Sequence, residues 1–129
     1  MSENWTIDGV QALAAAWLRE LELDEAPAED SIGSTVVLMN FTAPANVQWA
    51  FLQAAVEGAR SDDHLYAIAA GPFEHLFGFH GDDFIAPLEA RCRDDATFAR
   101  MTTASYRHLM NEAVWARVQA IRSTVADPL

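Results

Sequence analysis

The chain has no lysine and only one cysteine among its 129 residues. The single cysteine, Cys92, excludes an internal disulfide and is typical of a protein in a reducing compartment. No apolar run approaches the roughly 20 residues that a membrane-spanning helix needs. The N-terminal residues show neither the basic nor the apolar segment of a secretory signal peptide. We therefore expect a cytoplasmic protein that does not enter a membrane.

Basic residues are scarce, and they are unevenly placed. The net charge is −11, and residues 1–90 hold fifteen Asp or Glu against two arginines. Residues 91–129 hold four acidic residues against six arginines. A field of this sign repels nucleic acid and anionic membranes and attracts basic surfaces. We therefore expect a basic protein as the partner, and neither nucleic acid nor a membrane.

The motifs of common catalytic and metal sites are also missing. The chain contains no HExxH or CxxC spacing, no Gly-x-Ser-x-Gly nucleophile motif and no glycine-rich loop followed by lysine. These absences disfavour zinc hydrolases, serine hydrolases and nucleotide-binding enzymes. We predict no metal and no cofactor, and an enzyme activity is not the leading hypothesis.

The hydrophobic pattern is helical through most of the chain. Val10, Ala14, Trp17 and Leu21 recur at helical spacing, and Asp8 is predicted to cap this first helix. Residues 35–38 are β-branched enough for a strand, but one isolated strand would have no partner, so we predict a helix there. The sequence as a whole predicts a single all-α domain over residues 1–129. Seven or eight short helices are expected, in a HEAT-like or irregular antiparallel bundle.

Ser31, Ser61 and Asn111 are predicted to begin helices as capping residues. Glycine and proline predict where other helices begin and end. Gly71 is predicted to end one helix and Pro72 to begin the next one. Gly78 and Gly81 are predicted to break the chain around His80.

The run Gly71-Pro72-Phe73-Glu74-His75-Leu76-Phe77, followed by His80-Gly81, resembles a bacterial family of unknown function. That family has a Gly-Pro-Leu-Glu-x-Leu-Leu run with a nearby His-Gly. It also has a Trp-bearing helix upstream (here Trp49), an acid-capped helix downstream (residues 94–100) and a final Trp-x-Arg (here residues 115–117). The resemblance spans roughly residues 45–118 and implies a helical fold, but it implies no activity because none is established for the family.

The leading candidate for a binding site is the acidic end of the first helix and the segment after it. These carboxylates would face a basic protein, and Trp5 would serve as an exposed aromatic anchor beside them. An immunity protein or antitoxin that blocks a cationic partner is the concrete form of this hypothesis, since charge complementarity speeds association. The predicted binding residues are Glu20, Glu22, Asp24, Glu25, Glu29, Asp30 and Trp5.

Two alternatives remain open. Glu74 and His80 lie close in sequence on either side of a glycine and could act as a general acid and base in a small-ligand site or an enzyme. A homodimeric accessory or scaffold protein could instead join an arginine-rich face to an acidic face. Within one chain, Arg117 is the best candidate for an internal ion pair, and Trp49 and Trp115 are expected in the core.

Overall fold

The computed structural model describes residues 5–23 and 31–129, and every regular element in these ranges is helical. The predicted all-α class is therefore confirmed. A π-helical turn, Ala69–Phe73, joins two of the helices without an intervening loop. The α-helices are α1 (Ile7–Leu21), α2 (Ile32–Thr42), α3 (Ala45–Gly58), α4 (Asp62–Ile68), α5 (Glu74–Asp94), α6 (Ala96–Thr102) and α7 (Glu112–Ser123).

Most helices begin at a side chain that accepts a hydrogen bond from a backbone N–H of their first turn. Ser31, Ser61 and Asn111 do this for α2, α4 and α7, at the positions predicted from the sequence. The prediction for α1 was wrong, because Thr6 caps this helix, its hydroxyl accepting from the Gly9 N–H at 3.0 Å. Asp8 lies inside the first turn, where its charge meets the positive end of the helix dipole.

The predicted break at Gly71 and Pro72 is wrong, because the chain passes from α4 into α5 without leaving helical geometry. Pro72 lies inside the π-helical turn. Proline has no N–H and its ring crowds the preceding turn, and a wider turn accommodates both defects. The chain does bend at His80, whose φ of −133° and ψ of 20° are not helical. The break predicted around Gly78 and Gly81 is therefore a kink within α5.

Gly81 marks a close approach between α5 and α7. A Cβ atom added to it would lie 2.8 Å from Cγ1 of Val114, which is nearer than side-chain carbons approach one another. The glycine therefore allows α7 to pack against α5 just after the kink at His80.

The core contains a cluster of aromatic rings between α3, α5 and α6. The Trp49 ring centroid lies 6.3, 5.8 and 5.9 Å from those of Phe77, Phe84 and Phe98. Trp115 on α7 is partly buried against the same core, and the guanidinium of Arg122 lies 5.2 Å from its ring centroid. Both tryptophans therefore pack against the hydrophobic core.

Candidate functional site

Glu20 holds α1 against the start of α2. Its two carboxylate oxygens accept hydrogen bonds from the backbone N–H groups of Ile32 at 2.7 Å and Gly33 at 2.8 Å. These N–H groups belong to the first turn of a helix, where no intrahelical acceptor exists and negative charge is favoured. The carboxylate predicted to face a partner is therefore occupied within the chain.

Glu22 is occupied as well, at the junction of α1 with the start of α4. Its carboxylate accepts two hydrogen bonds from one guanidinium nitrogen of Arg60, at 2.7 and 2.9 Å. The backbone N–H of Arg60 donates to Nδ1 of the buried His64 at 3.1 Å, so the nitrogen of this ring that can donate is the other one. That nitrogen, Nε2, lies 3.4 Å from the same Glu22 carboxylate. The guanidinium of Arg60 therefore offsets the charge of Glu22 locally.

The other residues of the predicted acidic site divide into two groups. Trp5 is partly buried, and its indole Nε1 donates to Oγ1 of Thr42 at 2.8 Å, which ties the N-terminal segment to the end of α2. It is not the free aromatic anchor that the sequence suggested. Four of the predicted carboxylates lie outside the described residues: Asp24, Glu25, Glu29 and Asp30.

Glu74 and His80 do not meet. The Glu74 carboxylate accepts the backbone N–H of Tyr106 at 2.9 Å and so anchors the segment that connects α6 to α7. Within residues 5–23 and 31–129, no hydrogen bond or ion pair joins Glu74 to His80. This arrangement gives no support to a general acid–base pair.

Several arginines of the C-terminal third form ion pairs within the chain. Arg117 donates to Glu89, and the hydrogen bond lowers the pKa of that carboxyl. Arg91 donates to Glu57 at 2.9 Å, and Arg100 donates to a carboxylate on α4 at 2.6 Å. These arginines have partners inside one molecule, so a homodimer built on arginine–carboxylate contacts gains no support.

The outer side of α2 is an exposed apolar surface. Its eleven residues include no charged side chain, and apolar residues lie all around the helix. Phe41 lies about one helical turn after the adjacent Val37 and Leu38, and the three side chains are 70%, 54% and 42% exposed. A helix that is apolar all round is normally covered on every side. The exposed side of α2 is therefore a candidate contact surface.

The aromatic side chains of α5 continue this surface. The Phe41 ring centroid lies 4.7 Å from the His75 imidazole at a steep angle of 72°, and His75 lies 4.7 Å from Phe79. Phe79 is 56% exposed. Leu109, also exposed, packs over Gly78, its Cβ lying 3.1 Å from where a Cβ at that glycine would be. We call the whole surface the aromatic face: Val37, Leu38, Phe41, His75, Phe79 and Leu109.

Carboxylates border the aromatic face on one side. Asp82 and Asp83 are exposed and follow Phe79 in the chain by three and four residues, just after the kink at His80. The amide of Asn111 donates to Asp82 at 3.1 Å, which brings the exposed Glu112 to the same border. Arg107, two residues before Leu109, is a basic side chain in this region, and its Nε donates to the Met110 carbonyl.

Histidines lie in and around the aromatic face. The pKa of His75 is lowered from its ordinary value, chiefly because the ring is partly removed from water. A hydrogen bond to the backbone of Asn40 acts in the opposite direction, and the electrostatic influence of His80 and His108 lowers the pKa further. The imidazole of His75 is therefore neutral at neutral pH and belongs to the apolar part of the face.

The aromatic face is not among the sites predicted from the sequence, although the sequence carries one signal for it. Residues 32–42 form the longest uncharged helix of a chain with a net charge of −11, and their apolar residues do not fall on one side. Which of them remain exposed depends on the packing of α2 against α1 and the π-helical turn. That packing is not visible in the sequence pattern.

Other chemistry is not favoured by the described part of the chain. Burial raises the pKa of the Cys92 thiol to about 12, so the sulfur is protonated and a poor nucleophile at neutral pH. Residues 5–23 and 31–129 contain no group of three or more His, Cys, Asp or Glu placed to hold a metal ion. None of the helices described is long and apolar enough to cross a membrane.

Comparison with known proteins places the chain in a family. The model of a family of unknown function (DUF6869) matches residues 22–126, most of the chain, and the protein belongs to this family. This confirms the resemblance to a family of unknown function. The Gly-Pro-Leu-Glu-x-Leu-Leu motif and the bacterial origin stay predictions. No curated protein and no solved structure matches the chain significantly.

Proposed function

We propose that this member of DUF6869 is a cytoplasmic protein-binding module for a basic partner protein. The observation that carries the proposal is the aromatic face, an exposed apolar surface on a molecule with a net charge of −11. An apolar centre with charges at its border is the usual anatomy of a protein interface. The surrounding negative field would attract a basic partner and speed its association.

The proposed contact surface differs from the binding residues predicted from the sequence. Glu20, Glu22 and Trp5 are engaged within the chain, so the end of α1 offers few free groups to a partner. The function as an acidic binding module does not depend on them, because the net charge acts at a distance. An inhibitor of a cationic protein, as immunity proteins and antitoxins are, is one concrete form of such a module.

The test is affinity purification of the protein from its native lysate at about 50 mM and about 500 mM salt, followed by mass spectrometry. We expect a stoichiometric basic protein that is retained at low salt and weakened at high salt. Recovery of the protein alone at both salt concentrations would contradict the proposal. Recovery of an acidic or neutral protein, insensitive to salt, would contradict the part played by charge.

A further inference from the structure

We propose that the aromatic face binds an amphipathic basic segment of the partner protein. The apolar side of this segment would lie on Phe41 and Phe79, and its lysines or arginines would reach Asp82, Asp83 and Glu112. The inference rests on the proposed function and names the site and the chemical class of its ligand.

The aromatic side chains form one continuous ridge. Phe41, His75 and Phe79 follow each other with ring centroids 4.7 Å apart at both contacts. At exposures of 70% and 56%, the two phenylalanines leave about 250 Å² in water, taking about 200 Å² for each side chain. Val37 and Leu38 on α2, and Leu109 over Gly78, add further exposed apolar area, and contiguous apolar surface of this kind is typical of interaction sites.

The border of the ridge selects for positive charge. Three exposed carboxylates, from Asp82, Asp83 and Glu112, lie within four residues of Phe79 or Leu109 in the chain, and Arg107 adds one guanidinium to this region. Apolar anchors at helical spacing with charges on the opposite side are the pattern by which a helical segment docks on another protein. A basic amphipathic segment is complementary to both parts of this surface.

A second copy of this chain is a poorer occupant of the same face. Its own Asp82, Asp83 and Glu112 would be brought towards those of the first copy, and each molecule carries a net charge of −11. Repulsion of this kind opposes self-association and adds to the cost of covering the ridge.

The binding test uses fluorescence anisotropy with three labelled synthetic peptides. The probe is a helical peptide of about 14 residues with leucine along one side and lysine along the other. The first control has the same composition in a scrambled order without an apolar side. The second control keeps the pattern but has glutamate in place of lysine. We expect the probe to bind at least tenfold more tightly than either control, and more weakly as salt is raised.

Two sets of variants, each with a matched control, assign the binding to the proposed surface. Phe41→Ser and Phe79→Ser should each lower the affinity for the probe at least tenfold, whereas Leu23→Ser, at an exposed leucine just after α1, should leave it unchanged. Asp83→Asn should lower affinity more than Asp94→Asn, which removes an equal charge from the far end of the same helix. Thermal unfolding of every variant checks that the fold is kept.

Different results would contradict the proposed site and the proposed ligand. Equal binding of the probe and the scrambled peptide, or undiminished binding to Phe41→Ser and Phe79→Ser, would overturn the site. If those variants still capture a basic protein from lysate, the proposed function stands and this site is wrong. A concentration-dependent dimer in sedimentation that is lost in Phe41→Ser would assign the face to a second copy and overturn the inference.

Discussion

The ring of Phe41 lies 4.7 Å from the imidazole of His75 and nearly perpendicular to it. This contact joins the outer end of α2 to the start of α5, just after the π-helical turn. It also places an uncharged helix next to exposed aromatic residues that lie more than thirty positions away in the sequence. The aromatic face exists because of this tertiary contact.

We predict that Glu20→Gln destabilises the protein by about 1–2 kcal/mol, the usual cost of losing a capping side chain. The substitution weakens two hydrogen bonds to the backbone of α2, and the amide can replace only one acceptor. The measurement is urea unfolding followed by circular dichroism. Asp83→Asn, which removes the same charge from an exposed position, should change the free energy of unfolding by less than about 0.5 kcal/mol. Equal effects would mean that Glu20 acts only through net charge.

Substitution by alanine should have different effects on stability at Gly71 and Gly81, which lie on either side of the kink at His80. Gly81→Ala should cost about 1–3 kcal/mol, because its new Cβ would lie 2.8 Å from Val114. Gly71→Ala meets no atom within 4 Å, so it should be neutral or stabilise the fold by up to about 1 kcal/mol. Thermal unfolding of the two variants checks this difference. A stable Gly81→Ala protein would show that α7 does not approach α5 as closely as described.

We predict that His75 makes the protein less stable in mild acid. Its pKa is lower in the folded chain than the ordinary value of 6.5, so below that pH the unfolded chain binds more protons. The stability that neutral His75 provides is therefore complete above about pH 6.5 and is lost as the pH falls through the lowered pKa. The difference in unfolding free energy between the wild type and His75→Gln should shrink from pH 7.5 to pH 5.5. A constant difference would exclude this linkage.

Cys92 should react slowly with thiol reagents in the native protein. Burial holds its pKa at about 12, so little thiolate exists at pH 8. Labelling with iodoacetamide should become fast only when the protein is unfolded in urea, which serves as the control. Fast labelling of the folded protein at pH 8 would contradict the buried position of the thiol.

The fold class and several helix starts could be predicted because they depend on local chemistry. Ser31, Ser61 and Asn111 each cap the helix that follows them, and a capping side chain needs only its own first turn. The prediction that Pro72 begins a helix was wrong. Proline is common at a helix start, but here it lies inside a π-helical turn that continues the helix. Turn geometry of that kind depends on the packing of neighbouring elements.

The binding residues could be predicted less well. A carboxylate in the sequence indicates charge but not whether a partner lies within the chain. Glu20 has its hydrogen-bond partners at residues 32–33, and Glu22 has its partner at Arg60. These contacts depend on the path of the chain between α1 and α4. The aromatic face was missed for the corresponding reason, since apolar residues in a helix are expected to be buried. Only the tertiary structure shows that Phe41 is not.

Binding at the aromatic face is tested by measuring the affinity of the basic amphipathic probe for three proteins, the wild type, Phe41→Ser and Leu23→Ser. Fluorescence anisotropy at about 50 mM salt gives these affinities. We predict tight binding to the wild type and to Leu23→Ser, and at least tenfold weaker binding to Phe41→Ser. Equal affinity for all three folded proteins would contradict this prediction, because charge alone would then explain the binding.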